Sequence, residues 1–183
     1  SPLNAVHNVI QYITIETLGN AQDFGDLATT AAVPGGVASR TRGLRMGGGA
    51  APTNSANNTI EFITIASTGD ATDFGDLVEK IRDQCSAGNQ TRGISAGGKD
   101  QPNAEVNVIQ YLTIASLGNS IDFGDLSVVR REGNDGQVNS AVRAIFAGGY
   151  DGPATFFNTI EYVTISTTGN AQDFGDLTQG RNR

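Results

Sequence analysis

The chain has 183 residues, of which 38% are hydrophobic, and carries a formal net charge of -7 with 24 glycines. This acidic balance argues against binding nucleic acid, which needs clustered Lys and Arg, and against binding an anionic membrane surface. The single cysteine, Cys85, allows no internal disulfide, and the only histidine, His7, stands near the N-terminus, so a catalytic Cys–His pair is not expected. No apolar run approaches membrane-spanning length, and we expect no membrane insertion.

One segment occurs four times in this chain. It reads Asn-x-Ile-[Glu/Gln]-[Tyr/Phe]-x-Thr-Ile and leads, through a Gly-[Asn/Asp] pair, to Asp-Phe-Gly-Asp-Leu. The copies begin at Asn8, Asn58, Asn107 and Asn158, at spacings of 50, 49 and 51 residues. A repeat of this length is one supersecondary unit that cannot bury its own apolar surface. We therefore expect a single repeat domain over 1–183, with units 8–57, 58–106 and 107–157 and a partial unit 158–183.

The first block of each unit predicts a strand covered on both faces. In the last copy, Ile160 and Tyr162 point to one face, while Val163 and Ile165 point to the other. β-Branched and aromatic residues favour strands, and a sheet with one solvated face would alternate more cleanly. Neighbouring sheets are therefore expected on both sides of this strand.

The rest of each unit predicts further strands. The Gly-[Asn/Asp] pair is typical of a tight hairpin, and Asp-Phe-Gly-Asp-Leu follows as a short strand or a turn. After a variable stretch that contains a weaker strand candidate, a small-residue strand such as 42–48 ends at Gly-Gly. Four antiparallel strands per unit of about 50 residues predict an all-β array of β-propeller blades. The alternative is a right-handed β-solenoid, whose coils are usually shorter and favour parallel strands.

These blocks resemble the kelch repeat over nearly the whole chain. Ala147-Gly148-Gly149 is similar to the kelch Gly-Gly strand, and Tyr162 is similar to the aromatic residue of the strand that follows it. Kelch repeats usually carry a Trp after that strand, whereas this chain has a phenylalanine at the matching place in each copy: Phe24, Phe74, Phe123 and Phe174. The resemblance implies a propeller of kelch-like blades.

The repeated sequence motif also resembles repeats in structural proteins of tailed phages, especially marine ones. That resemblance implies a virion appendage or decoration, with a virion or extracellular location. The strand order gives about three and a half units, fewer than the roughly 4 to 8 blades of a closed propeller. We expect the chain to be a segment of a larger propeller or to close by pairing with other chains, as a homo-oligomer or part of a larger assembly.

Acids and arginines follow the repeat. The acids are Asp23, Asp26, Asp73, Asp76, Asp122, Asp125, Asp173 and Asp176, and the arginines are Arg42, Arg92 and Arg143. Because guanidinium groups suit bidentate pairing with carboxylates, the matched spacing predicts structural ion pairs within or between blades. The same acids, with nearby turn carbonyls, are weaker candidates for calcium ligands, although their spacing does not match an EF-hand loop. We expect no other cofactor.

Ligand binding is expected in the segments that vary between repeats, of which the loop 150–157 carries the aromatic candidates; the others are 28–41, 50–57, 78–91, 99–107 and 127–142. Tyr150, Phe156 and Phe157 provide aromatic rings that could stack on a sugar, and Asp151 could bond its hydroxyls. The structural alternative is that Phe156 and Phe157 pack between blades. The other loops lack matching aromatics, so a repeated sugar site is not indicated.

Three functions are open at this point. The favoured one is a non-enzymatic structural or assembly protein, because a faithful repeat displays or assembles something. The alternative is a binding module for glycan or protein on a cell surface, as in host recognition. An enzyme is disfavoured, because catalytic acids usually break repeat symmetry whereas these acids follow it, and fold analogy alone does not choose among the three.

Overall fold

The computed structural model describes residues 7–50, 53–132, 138–152 and 155–182, and within these ranges the chain forms only strands, turns and loops. This confirms an all-β protein. No helix in the described part of the chain is long and apolar enough to cross a membrane.

The strands form four successive sheets, which we number in chain order. The first sheet has two strands, β1 (Val9–Tyr12) and β2 (Gln22–Asp26). The second sheet contains β3 (Gly35–Ala38), β4 (Arg42–Met46), β7 (Thr59–Thr64) and β8 (Thr72–Asp76). A small hairpin, β5 (Gly49–Ala50) and β6 (Ser55–Ala56), lies between β4 and β7.

The third and fourth sheets repeat the plan of the second. The third contains β9 (Cys85–Gly88), β10 (Arg92–Lys99), β11 (Glu105–Thr113) and β12 (Ile121–Asp125). The fourth contains β13 (Val138–Asn139), β14 (Arg143–Ala147), β15 (Thr159–Thr164) and β16 (Gln172–Asp176). All strand pairs are antiparallel, which fits the four-strand prediction and differs from the parallel coils of the solenoid alternative.

Asp-Phe-Gly-Asp is a strand in every copy, and its phenylalanine is an extra residue. In the first sheet Ile10 pairs with Gly25 and Gln11 pairs with Asp23, so Phe24 between them has no partner. The same irregularity recurs in the other three sheets. A bulge of this kind re-aims a side chain, and in the first three sheets it accompanies a buried phenylalanine, whereas Phe174 of the fourth sheet is exposed.

The core lies between the sheets. One cluster joins Val37, Leu44 and Phe74 of the second sheet to Leu112 of the third and to Ile114, which follows β11. A second cluster joins the third sheet to the fourth. In β11, Ile109 and Leu112 are both buried, each in a different cluster. The predicted coverage on both faces is therefore confirmed for the third sheet.

Candidate functional site

The Gly-[Asn/Asp] turn of each sheet binds the last strand of the sheet before it. Gly69 N–H donates to the carbonyl of Phe24 at 2.7 Å, and Ala71 N–H donates to that of Asp26 at 2.8 Å. In return, Asp26 N–H donates to Oδ1 of Asp70 at 2.9 Å. Together these three bonds form what we call the docking contact.

The docking contact occurs at all three junctions between sheets. In the second copy Gly118 and Ser120 donate to Phe74 and Asp76, and Asp76 N–H donates to Asn119. In the third copy Gly169 and Ala171 donate to Phe123 and Asp125, and Asp125 N–H donates to Asn170. The repeated pair therefore serves a contact between sheets, which its expected role as a local hairpin signal did not include.

The glycine of Asp-Phe-Gly-Asp makes this approach possible. A Cβ atom at Gly25, whose φ is +147°, would lie 2.4 Å from the carbonyl oxygen of Gly69. Gly75 and Gly124 have the same constraint, with backbone atoms of Gly118 and Gly169 at 2.6 Å and 2.5 Å. Because real Cβ atoms do not tolerate such distances, glycine is required wherever a following sheet docks.

Of the eight repeated aspartates, three enter this contact, through their backbone groups: Asp26, Asp76 and Asp125. Seven of the eight calcium candidates are exposed, and Asp125 is half-buried. Among the described residues, no three His, Cys, Asp or Glu side chains come together as a metal-binding group. The eight carboxylates therefore do not form an acidic cluster, and the calcium assignment stays a prediction.

The repeated arginines bind different partners from the predicted carboxylates. Arg42 lies 4.7 Å over the ring of Phe62, and its Nη1 donates at 2.8 Å to the carbonyl of Ile114, which follows β11 of the next sheet. Arg92 repeats both contacts, with Tyr111 and with the carbonyl of Ile165. In the described chain neither these two nor Arg143 forms an ion pair with a repeated aspartate.

The ion-pair prediction was therefore wrong about the partner, because each guanidinium lies over an aromatic ring and seven of the eight aspartates are exposed. That ring packs in turn, edge to face, on the bulged phenylalanine, with centroids 5.9 Å apart for Phe62 and Phe74 and 5.8 Å apart for Tyr111 and Phe123. Arg42 and Arg92 thus each cover an aromatic pair and donate a hydrogen bond to the following sheet. Arg143 stacks on Tyr162 at 4.4 Å.

Two buried ion pairs were not predicted from the sequence. Arg45 Nη2 lies 2.7 Å from Glu61 Oε2, and both side chains are buried. Arg130 pairs with Glu161, and both of these side chains are also buried. Burial lowers the pKa of the Arg130 guanidinium, and its attraction to Glu161 acts in the opposite direction.

The two pairs occupy the same place although their arginines come from different segments. Arg45 lies in β4 and donates to the carbonyl of Gly47, whereas Arg130 lies after β12 and donates to that of Gly148, the matching residue of the fourth sheet. In the third sheet Gln110 stands at the Glu position and bonds neutral groups, Ser120 Oγ and Glu79 N–H. The alternation of Glu and Gln at this position was the available sequence signal.

The predicted binding loop is only partly open. Arg131 lies 4.5 Å over the ring of Tyr150, and Asp151 Oδ1 accepts the N–H of Thr155 at 3.1 Å. Phe157 is half-buried, whereas Phe156 is 53% exposed. Burial and the neighbouring Glu132 raise the pKa of Tyr150. Residues 153 and 154 of this loop lie outside the described residues.

Phe156 and Tyr150 lie side by side, with ring centroids 5.9 Å apart. The structure therefore brings together two of the three aromatic candidates, with one of them open to solvent. The packing alternative fits Phe157 better than Phe156.

A mainly apolar groove of about 390 Å³ separates the first sheet from the second. Ile10 and Leu27 line one side, and Val37, Leu44 and Ile63 line the other. In the described part of the chain the first sheet has two strands, which match the last two, or outer, strands of the second sheet. The groove therefore lies beside the face of the second sheet that the first two, or inner, strands of a complete sheet would cover.

Neither a protein-family model nor a curated protein matches this chain. The contacts between sheets and the exposed residues at the two ends are therefore the basis for assigning a function.

Proposed function

We propose that this chain is a non-enzymatic structural or assembly protein built from propeller-type blades. The observation that carries this proposal is the docking contact, which joins three successive pairs of sheets through the residues that repeat. Residues kept in every copy thus hold neighbouring sheets together. Stacked repeat proteins are stabilised in this way, since each unit packs against its neighbours.

The arrangement of the sheets supports the propeller-type reading. Each complete sheet is a four-stranded antiparallel meander, and it packs face to face on the next one. The first strands of successive sheets also contact one another, β3 with β9 and β9 with β13. Such contacts are expected where the inner strands of blades gather around an axis.

The resemblance of the repeat to those of phage structural proteins supports a place in a virion appendage or another extracellular assembly. Exposed apolar side chains at both ends of the array, among them Ile15 and Phe174, favour partners that are other protein chains.

Size-exclusion chromatography coupled to light scattering, at several concentrations of the purified chain, tests this function. We expect a defined oligomer whose share rises with concentration. A monomer at every concentration would contradict the assembly role.

That negative result would favour the second candidate, a glycan- or protein-binding module. The exposed ring of Phe156 beside Tyr150 is the observation that supports it, because aromatic faces on loops contribute strongly to recognition. A binding function predicts saturable binding of a ligand to the purified chain, and Phe156→Ala should abolish that binding. Binding that survives this substitution would exclude the loop as the site.

A further inference from the structure

The two ends of the array carry the two halves of the docking contact. The last strand, β16, presents the half that accepts a following turn, and the turn at Gly19 and Asn20 presents the half that docks onto a preceding strand. Inside the chain each of these halves is engaged three times. At the ends, each half is free in the described chain.

The face of the fourth sheet is open where its counterparts are covered. Phe174 is 52% exposed, whereas Phe24, Phe74 and Phe123 are at most 8% exposed. A Cβ atom built at Gly175 meets nothing within 4 Å, in contrast to the other three glycines of this motif. Arg143 stacks on Tyr162 and is exposed, whereas Arg42 and Arg92 each also reach a carbonyl of the following sheet.

The first sheet exposes the complementary surface. Ile15 is 88% exposed, whereas Ile114 and Ile165 at the same position, each preceded by a four-stranded sheet, are at most 1% exposed. Ile65, which only the two-stranded first sheet precedes, is 46% exposed. Gly69, Gly118 and Gly169 share a φ near +150°, whereas Gly19, before which the described residues form no sheet, has no positive φ. The positive φ of this glycine therefore occurs in the three turns that dock onto a preceding strand and not in the first turn.

We propose that copies of this chain associate head to tail, with the fourth sheet of one copy docked onto the first sheet of the next. The occupant is a second copy because the first sheet offers the residues that already satisfy this contact internally: Asn20 matches Asn119 and Asn170, and Ala21 matches Ala71 and Ala171. This inference rests on the proposed assembly function and names the surface that performs it.

The contacts follow from the internal junctions. Gly19 N–H donates to the carbonyl of Phe174, Ala21 N–H donates to that of Asp176, and Asp176 N–H donates to Asn20 Oδ1. Arg143 reaches the carbonyl of Ile15, and the rings and side chains of Phe174 and Ile15 cover each other. In the described chain the first sheet consists of β1 and β2, so the contact between copies would involve these two strands and lack the inner strands that take part in an internal junction.

Such an interface uses different surfaces on the two partners. It is heterologous, so copies add in one direction and form a ring when the rotation closes or an open chain when it does not. One blocked face should therefore stop growth, and two variants blocked on opposite faces should complement each other.

Sedimentation velocity on the full chain tests this. Ile15→Asp blocks the face of the first sheet, and Phe174→Asp blocks that of the fourth. Ile15 is almost fully exposed and Phe174 is half exposed, so both variants are expected to fold, which circular dichroism checks. We expect each variant alone to be a monomer, with association weakened at least tenfold. An equimolar mixture should form a dimer and nothing larger.

Leu18→Asp is the matched control. It adds the same charge three residues from Ile15, at a position whose counterpart, Leu117, remains 60% exposed although its sheet is docked. This variant should assemble like the wild type.

The outcomes separate the interface from the function. If both blocked variants assemble like the wild type, or if they fail to pair when mixed, the proposed interface is overturned while assembly stands. If the wild type itself remains a monomer at its highest soluble concentration, the interface and the assembly function both fall, and something other than a second copy covers these faces.

Discussion

Glu61 and Arg45 form a buried ion pair, and another sheet of the same chain has uncharged residues at the equivalent positions. At the equivalent positions of the third sheet stand Gln110 and Ser95, both buried and uncharged. A buried pair contributes little net stability compared with a well-packed neutral arrangement, but losing one partner leaves a charge without compensation. The second and third sheets thus represent the charged and the neutral solution to one packing position.

Glu61→Gln should destabilise the protein strongly, because the guanidinium of Arg45 stays buried without its carboxylate. We expect a loss of about 3–5 kcal/mol in the free energy of unfolding, measured by urea denaturation. Adding Arg45→Ser removes the buried charge and should recover part of that loss, although the third sheet also has Ile81 and Ser120 where the second has Ala31 and Ala71.

The double variant is the decisive comparison, and it remains so even if Glu61→Gln alone does not fold. A double variant no more stable than the single one would show that the charge of Arg45 is not the cause of the loss.

The last strand of each sheet depends on a glycine for two separable reasons. Gly124 and Gly175 share an unusual backbone conformation, with φ of +145° and +137°. Only Gly124 also has the next turn against it, at 2.5 Å from a built Cβ atom, whereas Gly175 faces open space. The pair therefore separates backbone strain from the close approach of a neighbouring sheet.

Alanine at these two positions should have unequal effects. Gly175→Ala should cost about 1–3 kcal/mol, from backbone strain alone. Gly124→Ala should cost more, because displacing the turn of Gly169 also loses bonds worth about 0.5–1.5 kcal/mol each. Thermal or urea unfolding of both variants measures the difference, and equal losses would contradict a role for Gly124 in docking.

The strands were predictable from local pattern, and their long-range partners were not. β-Branched residues and the period of two identified β7, β11 and β15, and the small-residue blocks identified β4, β10 and β14. The docking contact joins Asp26 to Asp70 across 44 positions, so a Gly-Asp pair looks like an ordinary hairpin signal. Similarly, the spacing of Arg42 cannot show that its acceptor is the carbonyl of Ile114, a group that every residue has.

The four sheets are stabilised mainly by their neighbours, so their position in the array should set their local stability. Among the described residues, the third sheet packs against a complete sheet on each face, whereas the fourth packs against one. In stacked repeats the end units open more readily than the inner ones. Ile109 in the third sheet is accordingly fully buried, and the equivalent Ile160 in the fourth is half-buried.

Hydrogen exchange measured on the isolated chain should show this gradient. Amides of β10 and β11 should exchange slowest, and those of β1, β2 and β16 should exchange fastest. Uniform protection across all the sheets would mean that the array unfolds as one cooperative body and would contradict stabilisation by nearest neighbours.

The buried pair of Arg130 and Glu161 also bears on whether the repeats are interchangeable. The docking contact is made largely by main-chain atoms, so it would accept any repeat beside any other. Arg130, in contrast, lies in the segment that precedes the fourth sheet, where the corresponding residue before the third sheet is Ile81. A strand that carries Glu161 is therefore matched to the linker in front of it. The docking contact would thus allow the number of repeats to vary, whereas the pair of Arg130 and Glu161 restricts which segment can precede the fourth sheet.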